Sequence, residues 1–205
     1  VIELGGKCGL MPCDDTLREW LHGRVEGEIE GVAADDDAVY CQTVEVDLDK
    51  LCPQVAKPHK VDNVSPIAEV EGTPVQHAII GTCTNGRIED LEVAARILDG
   101  KKIAHGMTLT ISPASKAVYI EAIHRGYVET FLRAGATIAI PGCSGCSGGA
   151  YVGIPADGEA VITTANRNFK GRLGNANSFL YLASPATVAA SALTGCIEDS
   201  RNYVR

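Results

Sequence analysis

No apolar run approaches the roughly 18 residues that would suggest a membrane-spanning helix, so the pattern points away from a membrane protein and toward a cytoplasmic one. A basic excess is also missing. With 18 Lys and Arg against 26 Asp and Glu, a formal charge of −8, the chain argues against nucleic acid as its main partner, because a phosphate backbone calls for a basic face. Any anionic ligand must then be held by local positive charge. There is no internal repeat and no low-complexity tract, which excludes a solenoid. A secretory leader pattern is missing too, and the sequence opens Val1-Ile2-Glu3 rather than with Met, as expected of a processed chain or a piece of something longer.

What is present suits a globular α/β protein. The 205 residues are 45% apolar, enough for one sizeable core or two small ones. Eight cysteines would suffice for four disulfides, but a chain of this size with helix–strand alternation does not need such staples, so reduced thiols are expected. Residues 1–51 read as a leading piece, the remnant of a preceding α/β domain: a short helix after Asp14 and Asp15, an acidic loop over 25–37, and a strand over 40–48 that places Val44, Val46 and Leu48 on one face. Residues 52–74 carry Pro53, Pro58 and Pro66 and read as a linker.

From residue 75 to 205 strands and helices alternate. Apolar runs at 76–81, 107–111, 137–140, 160–164 and 179–183 read as strands. Helices are expected over 88–98, from Ser112-Pro113 to Gly126, over 128–132, and from Ser184-Pro185 to Gly195. Such alternation implies a mainly parallel sheet, because parallel neighbours require a crossover. The expected fold is a three-layer α/β/α sandwich.

Ligands in such a sheet collect beyond the carboxyl ends of the strands. Cys83 stands two residues past the 76–81 strand, and Cys143 and Cys146 follow the 137–140 strand in Pro141-Gly142-Cys143-Ser144-Gly145-Cys146. A closed zinc site wants four ligands, usually as two close pairs, and here one pair has a single distant companion. A thioredoxin-like pair opens a helix, for which Ser147-Gly148-Gly149 is a poor first turn. Three thiolates suit an iron–sulfur cluster with one iron left without a protein ligand, open to act as a Lewis acid on a carboxylate and a hydroxyl. A zinc site remains the rival. Past the strand at 160–164 comes Asn166-Arg167-Asn168-Phe169-Lys170-Gly171-Arg172, where two arginines five apart can present planar forks to carboxylates.

With Ile80-Gly81-Thr82-Cys83-Thr84-Asn85-Gly86-Arg87-Ile88-Glu89-Asp90, the Cys143–Cys146 loop, the Asn166–Arg172 stretch and Ser184-Pro185-Ala186 in order, the chain resembles the aconitase superfamily. The resemblance covers nearly the whole chain. It is closest to the large subunit of the 3-isopropylmalate dehydratase and homoaconitase group, and to the cluster-bearing C-terminal half of it.

That resemblance implies a 4Fe-4S cluster on Cys83, Cys143 and Cys146 with one iron not ligated by protein, and an aconitase-like cluster domain over 75–205. It implies that Arg167 and Arg172, with Asn166 nearby, bind substrate carboxylates. Glu3, in Glu3-Leu4-Gly5, would contact the substrate hydroxyl or iron-bound water. The implied reaction is dehydration and rehydration of a 2-hydroxy-dicarboxylate, 2-isopropylmalate to 3-isopropylmalate in leucine biosynthesis, with homoaconitase or a dimethylmalate-type dehydratase as alternatives. A non-catalytic RNA-binding form is the alternative from another class, and the acidic balance speaks against it. The implied partner is a small subunit carrying the swivel domain, with a serine base and a further arginine, in a heterodimer or heterotetramer. The family's preceding half, with His and Asp residues that assist proton transfer, is absent here, so the chain is expected to be inactive alone. Cys8, Cys13, Cys41, Cys52 and Cys196 are expected to pack as small apolar residues, and His59, His77, His105 and His124 to be structural or surface groups rather than acid–base catalysts.

Overall fold

A computed structural model of the chain describes residues 1, 3, 5–143, 146 and 152–203. It divides into two compact units, Val1–Leu51 and Cys52–Arg205. Val1–Leu51 carries the helix α1 (Asp15–Leu21), whose N-cap Asp14 accepts a hydrogen bond from Leu17 N at 2.8 Å. None of its described residues is buried. The alternation over 40–48 does not become a strand: Val44 and Leu48 are exposed, and among the described residues no strand pairs with them.

The second unit holds a seven-stranded sheet. Its strands are β1 (Gln54–Ala56), β2 (Val64–Pro66), β3 (His77–Ile80), β4 (Thr108–Ile111), β5 (Thr137–Ile138), β6 (Ala160–Thr163) and β7 (Phe179–Leu182). Their spatial order is β2-β1-β7-β6-β3-β4-β5. The five from β3 to β7 run parallel; β1 and β2 form an antiparallel hairpin joined to β7 through Ala56 and Leu182. The proline-bearing stretch 52–74, expected as a linker, thus extends the sheet. Its strands are three residues each, and Pro66 sits at the end of the outermost one, where a missing N–H costs no ladder bond.

Four helices follow: α2 (Ile88–Leu98), α3 (Lys116–His124), α4 (Tyr127–Ala134) and α5 (Pro185–Thr194). Helix α5 starts as its sequence requires, with Ser184 as N-cap and proline at the first position, and ends at Gly195 in the left-handed region. Helix α3 starts later than expected, capped by Ser115 rather than Ser112. Ser112 instead continues the sheet edge, its N–H donating to Ile80 O at 2.7 Å.

Alternate residues of each strand separate two cores. Ala78, Ile80, Leu109, Ile111 and Ile162 pack with residues of all four helices, whereas Ile79, Val161 and Leu180 face the opposite way and meet Leu173 and Val152. The α/β class and the mainly parallel sheet match expectation. Among the described residues, Leu173 and Val152 are the apolar residues outside the strands that pack on the face opposite the four helices. Among the described residues no helix is long and apolar enough to cross a membrane.

Candidate metal and substrate site

From β3 the chain steps outward through β4 to β5, then returns to the other side of β3 as β6. The connections therefore diverge between β3 and β6, and the crevice outside their carboxyl ends is where such sheets take ligands. Cys83 lies past β3, the Asn166–Arg172 loop past β6, and Cys143 past β5.

Glycine makes the Cys83 loop possible. Gly81 has φ +100°, and a Cβ there would stand 1.9 Å from Ser112 O; a Cβ on Gly86 would stand 2.4 Å from the same oxygen. The loop thus curls around the Ser112 carbonyl from both ends. Ala114 N donates to Gly86 O at 2.8 Å, and Gly142 N donates to Pro113 O at 2.8 Å. Residues 112–114 are therefore a strut that fastens both thiol-bearing loops to the end of β4. Within the second loop Cys146 N donates to Cys143 O at 2.9 Å, turning the chain back so that the two thiols sit on one turn.

All eight cysteines are free. Cys83 and Cys143 are exposed and Cys146 is buried. The Cys143 thiol is pushed above its ordinary pKa, first by desolvation and then by the neighbouring Cys146 and Cys83 thiols. Because Cys143 is exposed as a residue, the two neighbouring thiols are the part of this shift particular to the site. Among the described residues no group of three or more His, Cys, Asp or Glu is arranged to hold a single metal ion. Ser147-Gly148-Gly149, read as a poor helix start, lies outside the described residues.

The asparagine–arginine loop is fastened directly to the Cys83 loop. Gly81 N donates to Thr164 Oγ1 at 2.8 Å. Asn166 Oδ1 accepts from Thr84 Oγ1 and from Asn85 Nδ2, both at 3.0 Å, and Asn85 Nδ2 also donates to Thr164 O. Asn168 is fully buried and its Nδ2 bridges Lys57 O at 2.8 Å and Lys60 O at 3.2 Å, so the β1–β2 turn supports this loop. Arg167 is exposed. Arg172 is half-buried, its guanidinium carbon 5.4 Å from the centre of the Phe169 ring, and its Nε is buried without a hydrogen-bond partner among the described residues. Glu3 is exposed in the Val1–Leu51 unit, while the other candidate residues belong to Cys52–Arg205.

Thr82, Thr84, Asn85, Ser112 and Asn168 were not singled out as working residues by the sequence reading. The signal for the first three was their place beside Cys83, but nothing in the spacing says which loop they would reach. The five remaining cysteines are not buried as expected: Cys8 and Cys41 are exposed, and Cys13, Cys52 and Cys196 are half-buried. Cys8, Cys13 and Cys41 belong to the unit without buried residues. Of the histidines, His77 has a structural place, bridging Thr108 Oγ1 at 2.7 Å and Glu159 Oε2 at 2.9 Å at the amino ends of β3, β4 and β6, away from the thiols. His59 stacks on Phe179 with ring centres 5.7 Å apart.

Comparison with known proteins gives these features a context. The profile of the aconitase family (aconitate hydratase) matches residues 1–72 and 68–195. The chain is 50% identical over 205 residues to 3-isopropylmalate dehydratase large subunit 2 of Archaeoglobus fulgidus, covering 99% of this chain and 49% of that protein. It is 51% identical over 200 residues to the probable methanogen homoaconitase large subunit of Methanosarcina mazei, covering 98% and 50%. It is 46% identical over 207 residues to 3-isopropylmalate dehydratase large subunit 1 of Thermotoga maritima, covering 99% and 49%. The chain spans about half the length of the curated relatives it matches.

Proposed function

Since the chain belongs to the aconitase family, we propose that it is the cluster-bearing half of a hydro-lyase large subunit that interconverts 2-isopropylmalate and 3-isopropylmalate in the cytoplasm. The observation that carries this reading is the fastening of the Cys83 loop to the Asn166–Arg172 loop, with the Cys143 loop held to the same 112–114 strut. One sheet edge thereby joins a soft-ligand set to a pair of arginines.

The donor set fits a 4Fe-4S cluster: three thiols supply soft ligands for three irons and leave the fourth without a protein ligand. Cys83, Cys143 and Cys146 are its proposed ligands. When bound, the cluster supplies a Lewis acid that stabilises the departing hydroxyl oxygen of the substrate. The chain's own residues do the positioning. Arg167 and Arg172 each offer a planar guanidinium to a carboxylate, and a doubly charged acid held at two points cannot rotate its C–O and C–H bonds out of register. Arg172 lies against the Phe169 ring, and its buried Nε, without a hydrogen-bond partner among the described residues, is a donor that a ligand oxygen would satisfy. Asn166 contributes a side-chain amide beside them, and Glu3 a carboxylate for the substrate hydroxyl. The proton removed from carbon would pass to a base on the small subunit, the partner that the relatives' name of large subunit implies.

Anaerobic addition of iron and sulfide is expected to give a broad visible absorption that Cys83→Ser abolishes. No colour with the unsubstituted protein would overturn the cluster assignment. A second reading, homoaconitase, is favoured by the 51% identity to the Methanosarcina mazei protein. Turnover of 2-isopropylmalate against homocitrate, by the full-length large subunit with its small subunit, separates the two.

A further inference from the structure

We infer that Thr84 and Asn85 are positioning residues that lock Asn166 with its Nδ2 toward the substrate, so that this side chain meets the ligand as an N–H donor and never as an acceptor. The inference rests on the dicarboxylate reading above and deepens it.

The orientation follows from a chain of hydrogen bonds with one fixed end. Thr164 O is a backbone carbonyl and can only accept, so the Asn85 atom against it must be Nδ2. The same Nδ2 lies 3.0 Å from the Asn166 side chain. Turning Asn166 over would set two N–H groups against each other, so its oxygen must face Asn85. The Thr84 hydroxyl, 3.0 Å from that oxygen, must then donate to it.

The hydroxyl behind it completes the set. Thr82 Oγ1 accepts from Thr84 N at 3.3 Å and from Asn85 N at 3.1 Å, which uses both of its lone pairs. Its own proton is left for Thr84 Oγ1, 3.1 Å away. Thr82 is fully buried, so water does not compete for these bonds. Each group in the chain has one consistent role, and chains of this kind strengthen their members.

The consequence is at the outer end. Asn166 Oδ1 is taken by two donors, and its Nδ2 has no hydrogen-bond partner among the described residues. A half-buried amide with its oxygen held inward presents two N–H groups, which suit a carboxylate or a hydroxyl oxygen and reject a donor. Because residues 84 and 85 directly follow Cys83, the loop that carries a proposed cluster ligand also orients a substrate contact.

The test uses the full-length large subunit with its small subunit, loaded anaerobically. Thr84→Val removes one of the two donors on an exposed side chain and keeps its shape. It is expected to raise KM for 2-isopropylmalate about fivefold, the worth of one hydrogen bond of about 1 kcal/mol, with kcat and visible absorption unchanged. Thr84→Ser should restore KM, and in an Asn166→Ala background Thr84→Val should have no further effect on KM or on calorimetric affinity for the acid. An unchanged KM in Thr84→Val, or an undiminished effect without Asn166, would overturn the orientation claim while the activity reading stands. An unsubstituted complex that neither binds nor turns over any hydroxy-dicarboxylate would overturn both.

Discussion

Single residues decide whether the thiol edge can exist, and Gly81 is the sharpest case. Its φ of +100° is one that side chains rarely adopt, and an added Cβ would meet backbone rather than a yielding side chain, 1.9 Å from Ser112 O. Gly100 offers a control, with φ +67° and nothing within 4 Å of the added atom. Gly100→Ala should cost only the conformational strain, about 1 kcal/mol. Gly81→Ala must also displace the strut at residues 112–114, and is expected to cost about 3 kcal/mol or more, near the upper end of backbone strain at functional sites. Thermal denaturation of the two variants measures the difference. Equal shifts would show that the strut yields freely, and that the Cys83 loop is not held as described.

At the scale of elements, the two ends of the sheet do different work. The carboxyl edge carries loops with exposed thiols, while at the amino edge His77 ties β3 to Thr108 of β4 and to Glu159 beside β6. The hydrogen bond from His77, and then that from Ala156 N, hold the Glu159 carboxyl below its ordinary range. A carboxyl depressed in the folded state gives stability that is fully present above its unfolded pKa and is lost as pH falls through the folded value. The parent and Glu159→Gln are therefore expected to differ in Tm at neutral pH, the parent higher, with the gap closing below about pH 4.5, the ordinary glutamate value. A gap that stays constant with pH would remove the carboxylate from the clamp. The elements themselves were unevenly legible. Strands β3, β4, β6 and β7 could be read because buried parallel strands are short apolar runs, α2 because its apolar residues recur at helical spacing before Gly100, and α5 because Ser184-Pro185 and Gly195 mark its ends. The β1–β2 hairpin could not, since three-residue strands beside prolines leave no periodic pattern. Residues 40–48 have the pattern and lack the partner, and alternation alone forms no ladder. In the site, Cys83, Cys143, Cys146, Arg167 and Arg172 stood out by type and spacing. The Thr82–Asn85 relay did not, because its meaning depends on the Thr164 carbonyl, brought near only by the pairing of β3 with β6.

For the whole molecule, burial is concentrated in one of the two units. Every buried residue among those described lies in Cys52–Arg205, where two sheet faces and four helices supply the core, and none lies in Val1–Leu51. Cooperative unfolding requires buried apolar area that a unit without a core does not have. Limited proteolysis is accordingly expected to cut first within residues 1–51 and to leave a resistant fragment starting near Cys52, whose thermal midpoint stays close to that of the whole chain. That fragment retains Cys83, Cys143 and Cys146, all three proposed cluster ligands, and loses Glu3, the proposed contact of the substrate hydroxyl. Anaerobic reconstitution should therefore colour the fragment as fully as the intact chain. A fragment that unfolds on trimming, or that folds but no longer takes up iron, would mean that Val1–Leu51 supports the thiol edge rather than serving the substrate alone.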